Sequence, residues 1–304
     1  MSGNLNKSMR ENYSTHGVDQ YYKIVSKSYR NVHDPGIKKC LAVWLDAWWA
    51  HYDSSILDVD GNKKAVCVLD MAAGSGEVTV AIKQWWDLAR AKFDAQTPPS
   101  PAPAPTVTAT SPPPPVPIAR PVPVARPGIP RNRQASSAVI GPDAPALIIS
   151  ATDPYTVDAY VARTGLPCHP LSFRDIADGS LPPLTNTADK DTIPASDESQ
   201  DSGNGDERDD LIYEMVVCSF ALHLIESTSE LWALLTALSE KVRWLVILEP
   251  HKKPEIKDGW GWNLWDTKEW CAADHARTFV QSEGSELEIV RERVRCRIYR
   301  SVKW

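Results

Sequence analysis

Residues Val66–Glu77 read V-C-V-L-D-M-A-A-G-S-G-E, and the fold follows from how this stretch is punctuated. The apolar run Val66–Leu69 has the length of a strand buried on both faces. It ends at an acid, Asp70, followed by the small residues Ala72, Ala73, Gly74, Ser75 and Gly76. From Val78 to Phe93 the apolar residues Val78, Ile82, Trp85 or Trp86, and Ala89 recur at roughly helical spacing. The loop therefore joins a strand to a helix N-terminus. Glycines there let the backbone approach a ligand, and N–H groups of the first helical turn stay free to donate. A unit of this kind holds a nucleotide-like ligand.

A dinucleotide fold wants G-x-G-x-x-G with the phosphates on the helix end. Here Gly74-x-Gly76 is followed by Glu77, Val78 and Thr79, so the third glycine is missing and a carboxylate stands where a pyrophosphate would lie. That disfavours NAD. The stretch resembles motif I of the class I S-adenosylmethionine (SAM) dependent methyltransferases, hydrophobic-hydrophobic-D-x-G-x-G-x-G, with Ala72 in place of the first glycine. In that family the donor is cationic at sulfur and carries no phosphate, so nearby acids favour it. The resemblance implies that Asp70 and the loop Ala72, Ala73, Gly74, Ser75 and Gly76 bind SAM, the loop lining its methionine part. A ligand-free strand-to-helix turn is the alternative reading of the same residues.

Composition sets the limits. With 304 residues and 42% hydrophobic content the chain buries one substantial core. A formal net charge of -6 gives no global pull toward nucleic acid. The 6 cysteines include no C-x-x-C pair, and Cys67 and Cys218 lie inside apolar runs. They read as reduced core thiols rather than a disulfide frame, and no metal is implied. No apolar signal core opens the chain and no run approaches a membrane span, so a cytoplasmic or nuclear location and no membrane partner are expected.

Residues 1–60 form a helical cap ahead of the main domain, 61–304. In the cap, Tyr21, Tyr22, Val25 and Tyr29 fall at helical spacing, Asp34-Pro35-Gly36 interrupts, and Ile37–Tyr52 makes a second helix with Leu41, Trp44, Leu45 and Trp48 on one face. The cap is either a packing layer on the sheet or, as the family resemblance implies, a cover in which Tyr21, Tyr29 and His33 close over the cofactor. Two insertions of disordered composition interrupt the domain. Residues 97–145 hold most of the 25 prolines together with Arg120, Arg126, Arg131 and Arg133. Residues 177–210 are rich in Asp, Ser, Thr and Pro and end in an acidic run. The proline-rich insert offers a docking arm for a protein partner or RNA, or is a solvated linker.

Beyond the first insert, Ala146–Ala151 reads as a second strand ending at Asp153, and Tyr155–Arg163 as a helix. The family places at this strand end an acid that takes both ribose hydroxyls, which two carboxylate oxygens suit. The usual interval from glycine loop to acid is recovered only when the proline-rich insert is set aside. Asp153 before Pro154 also reads as a helix cap. Cys168–Phe173 suits a third strand, after which Asp175 is, by resemblance, the adenine ligand, or else a surface turn acid. Tyr213–Cys218 is a fourth strand, followed by Ser219-Phe220-Ala221-Leu222-His223-Leu224. This segment resembles motif IV of small-molecule methyltransferases, with Phe220 and Ala221 against the cofactor and His223 facing the acceptor as a general base. A packed or helix-capping role for His223 is equally open.

Trp244–Leu248 is a fifth strand, leading into Glu249-Pro250-His251, where His251 is a second candidate base. The segment Gly259–Trp265 reads as an indole-rich loop, either a stacking surface or an apolar plug, and Thr267–Gln281 as a helix. Glu286–Arg291 and Arg295–Val302 form a terminal hairpin. The expected fold is α/β: a Rossmann-like, seven-stranded, mostly parallel sheet of order 3-2-1-4-5-7-6 with a C-terminal antiparallel hairpin. The expected function is methyl transfer from SAM to an N or O nucleophile of a small-molecule acceptor. A protein or RNA acceptor, and a SAM-binding scaffold without catalysis, are the alternatives.

Overall fold

The computed structural model describes residues 17, 20, 30–53, 63–96, 138–184, 213–251, 253–273 and 287–304. Tyr21 and Tyr29, residues 97–137 of the proline-rich stretch and residues 185–212 of the acidic stretch lie outside the described residues. In chain order the elements are α1 (Asp34–His51), β1 (Val66–Met71), α2 (Glu77–Gln96), β2 (Leu147–Thr152), α3 (Val157–Thr164) and α4 (Phe173–Ala177). There follow β3 (Tyr213–Ser219), a 3-10 turn (Leu222–Leu224), α5 (Thr228–Lys241), β4 (Val242–Glu249), β5 (Trp262–Asp266), β6 (Cys271–Ala272), β7 (Ile289–Arg291) and β8 (Val294–Ser301).

The sheet runs β2-β1-β3-β4-β8-β5-β6, with β7 paired to β8. Strands β2, β1, β3 and β4 are mutually parallel, and β8 enters antiparallel to β4. This is the expected order with two corrections: β5 and β6 continue the sheet beyond β8 where the first strand of the terminal hairpin was expected, and one expected strand is lost. The strand expected at Cys168–Phe173 is reduced to a single parallel bridge between Thr152 and His169. Pro167 and Pro170 flank that bridge without N–H donors for a ladder. Ser172 then caps a helix at Phe173, which ends the extended chain.

The central strands are apolar throughout because both faces are covered. Along β1, Val66 and Val68 join the core shared with α1 and α2, whereas Cys67, Leu69 and Met71 join the one beneath α5. Helix α1 places Trp44 and Trp48 in the first of these cores beside Val246 and Ile298. Residues 34–51 thus pack on the sheet, one of the two readings of the N-terminal helices. Residues 138–145, assigned to the proline-rich insertion, also pack. Ile140 is buried and its N–H donates to Ala89 O at 3.1 Å, and Trp49 Nε1 donates to Val139 O at 3.2 Å.

The indole-rich segment is a strand rather than a loop. Trp262 points into the α5 core, where its Nε1 donates to Leu235 O at 2.8 Å, and Trp265 belongs to the opposite core. Residues 267–273, read as the start of a helix, form a turn and the short strand β6. The terminal hairpin closes at Glu292 and Arg293, both with positive φ (46° and 66°), the hand that matches strand twist. The cysteines are free thiols, five buried and Cys271 exposed. No described helix is long and apolar enough to cross a membrane.

Candidate active site

Ligands of open α/β sheets gather at the carboxyl ends of the parallel strands. Here the tips of β1, β2 and β3 surround a cavity of about 250 Å³ whose wall includes Ala72, Gly74, Asp153, Phe173, Phe220 and Leu224. Two non-glycine residues on this wall have left-handed backbones: Ala72 with φ 56° and Phe220 with φ 58°. That conformation costs an L-residue about 1–2 kcal/mol. Such strain collects at functional sites, where the surrounding structure enforces it. Ala72 stands where motif I carries glycine, and its backbone keeps the glycine conformation.

Only part of the glycine loop faces the cavity. Gly74 lies on the wall, with its N–H donating to Asp153 Oδ2 at 3.0 Å and its carbonyl accepting from Thr156 Oγ1 at 2.6 Å. Ala73 packs against Ala151, Tyr160 and Cys168 instead. Ser75 is fully buried and donates to Glu77 Oε1 at 2.6 Å. Gly76, with φ 83°, serves packing: a Cβ there would come within 2.5 Å of Thr164 Cγ2.

Asp70 sits beneath the loop, not on the cavity wall. Its Oδ2 accepts from Thr79 N at 3.1 Å and from Thr79 Oγ1 at 2.7 Å, tying β1 to the first turn of α2. Its Oδ1 is buried without a partner among the described residues. Burial pushes this carboxyl up to about 8, against the Thr79 hydrogen bonds and reinforced by the charges of Glu77 and Asp153. Asp70, expected among the SAM-binding residues, thus anchors the first turn of α2 in this structure.

Asp153 lies on the cavity wall as expected of a ribose acid, but its oxygens are already engaged. Oδ1 accepts from Tyr155 N at 2.8 Å and from Thr156 N at 2.9 Å, while Oδ2 holds Gly74 N. Two lone pairs per oxygen leave one acceptor position, on Oδ2. The expected two-oxygen clasp of a diol is thus reduced to one bond while the Gly74 contact stands. Asp175 lies off the cavity wall. It is exposed, its Oδ2 accepts from Ser172 N at 2.8 Å and Oγ at 2.7 Å, and these bonds hold its carboxyl below the usual range. Leu171, Ser172 and Phe173 take the cavity wall there.

At the tip of β3, Phe220 and Ala221 both line the cavity. His223 follows in the 3-10 turn, flanking the wall rather than forming it, and its Nδ1 lies 2.7 Å from Oε2 of Glu249, the last residue of β4. The Glu249 side chain is 1% exposed and that of His223 31%. A buried carboxylate thus orients a partly exposed imidazole. His251 is exposed and off the cavity wall.

The N-terminal segment reaches the same rim. The His33 ring stacks on Phe220, with centroids 4.8 Å apart and planes 11° from parallel. Burial and the charge of Arg293 lower the imidazole pKa. Glu77 and Arg163 were not foreseen as site residues; they join at 2.8 Å at the foot of the glycine loop. A signal was present in Glu77 itself, a carboxylate standing where a dinucleotide fold would seat a pyrophosphate. Among the described residues no cluster of three or more His, Cys, Asp or Glu is placed to hold a metal ion.

The strand order is that of a class I methyltransferase sheet, with a cavity at its strand tips. The chain belongs to the family of the uncharacterized protein C17A5.05c of Schizosaccharomyces pombe (strain 972), to which it is 33% identical over 294 residues, 97% of this chain and 92% of the relative. No protein-family model matches the chain. Among solved structures it is similar to magnesium protoporphyrin IX methyltransferase from Synechocystis PCC 6803 with bound SAM, at 12% identity and TM-score 0.35, covering 97% of this chain and 98% of that one. It is also similar to the N-methyltransferase NodS from Bradyrhizobium japonicum WM9 in complex with S-adenosylhomocysteine, at 7% identity and TM-score 0.33, covering 91% and 92%. The fold assignment rests on strand order and register.

Proposed function

We propose that this chain is a SAM-dependent methyltransferase acting on an N or O nucleophile of a small molecule. The observation that carries the reading is the cavity between Gly74 and Phe220, placed where the parallel strands end and rimmed by two strained residues. When bound there, SAM supplies a methyl group on a cationic sulfur, chemistry that needs alignment and desolvation more than covalent help. Ala72, Gly74 and Asp153, which line the cavity, hold the donor, and Asp153 is the carboxylate of this wall suited to it. His223 acts as the base: with Nδ1 donating to Glu249, its Nε2 is left to take the acceptor's proton.

A second reading, donor binding without turnover, draws on the engaged oxygens of Asp153. Incubating the purified chain with SAM and a size-fractionated cell extract separates the two. We expect S-adenosylhomocysteine to form with the small-molecule fraction and to fall at least about a hundredfold with His223→Ala. Formation only with the macromolecular fraction would move the acceptor to protein or RNA. No product with any fraction would leave the binding scaffold.

A further inference from the structure

Glu77 directly follows the last glycine of motif I, Gly76, and its carboxylate gathers three separate segments. Its Oε1 accepts from Ser75 Oγ in the glycine loop at 2.6 Å and from Asn31 N in the N-terminal segment at 3.1 Å, and pairs with Arg163 Nη1 of α3 at 2.8 Å. Its side chain is 4% exposed. The connection continues beyond it. Asn31 Oδ1 accepts from His33 N at 2.9 Å, and His33 stacks on Phe220 at the tip of β3. A second strut runs from Arg163 Nη2 to Asp34 Oδ1 at 3.5 Å, in the first turn of α1.

We propose that Glu77 is a positioning residue: acting through Asn31, it seats residues 31–34 on the cavity rim and thereby holds His33 against Phe220. The glycine loop, which faces the donor, and Phe220, which faces the transfer, then share one hydrogen-bonded frame. A glycine at position 77 would leave the Asn31 amide and the Ser75 hydroxyl without this acceptor, and Arg163 without its closest carboxylate. Buried groups left so are costly, which gives the frame its stiffness.

His33 reports the seating directly. The charged groups around its station are Arg293 from the β7–β8 turn, Asp34 beside it in the chain, and Glu77 with Arg163 across the loop. The measurement is NMR titration of the imidazoles, with His33 identified among the 7 histidines by a His33→Gln spectrum. Wild-type His33 should titrate below the ordinary histidine value. In Glu77→Ala and in Asn31→Ala it should move up toward that value, because the ring leaves Phe220 and the neighbourhood of Arg293. Glu77→Gln keeps an acceptor for Asn31 and Ser75 and should stay close to wild type. Asn31→Ala breaks only the second link, so it decides the matter should Glu77→Ala fail to fold. A His33 titration unmoved by both alanine variants would overturn the proposal.

The consequence for donor binding rests on the methyltransferase reading. S-adenosylhomocysteine affinity should fall at least about fivefold in Asn31→Ala. Failure of wild type to bind this ligand would count against that reading, while the titration still judges the positioning role.

Discussion

Gly74 and Asp153 are bonded directly: the glycine-loop amide donates to the Asp153 carboxylate at 3.0 Å, across the mouth of the cavity between β1 and β2. The contact sets the starting state of the site. On the proposed reading a ribose at Asp153 meets one open acceptor position or displaces Gly74, which would link donor binding to loop geometry.

Asp153→Ala removes the acceptor of three backbone N–H groups, those of Gly74, Tyr155 and Thr156. The expected cost is about 1–3 kcal/mol of stability, read as a lower urea midpoint. SAM affinity should fall at least about tenfold, since the cap and the ligand contact go together. Unchanged affinity would remove Asp153 from the donor site.

Ala72→Gly tests the strain on the cavity wall. Glycine adopts φ 56° without penalty, which recovers about 1–2 kcal/mol, and its freer unfolded chain takes back about 0.4–1 kcal/mol. Chemical unfolding should show a neutral to stabilised protein. Clear destabilisation would mean that the methyl group packs productively.

Gly76→Ala is the opposite case. The added Cβ would meet Thr164 Cγ2 at 2.5 Å and Tyr160 at 3.1 Å, at a φ of 83° that L-residues avoid. A loss of about 1–3 kcal/mol is expected in the same unfolding experiment. A tolerated alanine would show that α3 can move away from the loop.

Asp70 gives stability an unusual pH dependence. Its folded-state pKa is raised, to about 8, so its contribution is fully present below the unfolded value and is lost as pH rises through about 8. Asp70→Asn is neutral throughout and escapes that loss. Urea midpoints of the two proteins should therefore diverge from about pH 4 to about pH 8, the variant gaining relative to wild type as pH rises, and run parallel above that. Parallel curves throughout would mean that Asp70 is ionised in the fold at neutral pH.

The parallel strands were legible in the sequence because burial on both faces leaves unbroken apolar runs, as at Val66–Leu69, Tyr213–Cys218 and Trp244–Leu248. The site was legible only where its chemistry is local. Gly74, Phe220 and His223 follow strand ends directly. At Asp175 the pattern Ser172-x-x-Asp175 is a capping box, which accounts for an exposed acid at the start of a helix. The strand at Trp262–Asp266 was hidden by its tryptophans, which suit a loop plug as well as a sheet edge. What no local pattern reveals is long-range pairing. Asn31 with Glu77, Gly74 with Asp153 and His223 with Glu249 meet only once the sheet is assembled.

The central claim is that the cavity beside Gly74 receives an adenosine-bearing sulfonium donor, and isothermal titration of SAM, S-adenosylhomocysteine and NAD into the full chain tests it most directly. The account predicts saturable one-to-one binding of the first two, weakened in Asp153→Ala, and no binding of NAD. Saturable binding of NAD, or no heat from either of the other two, would contradict it.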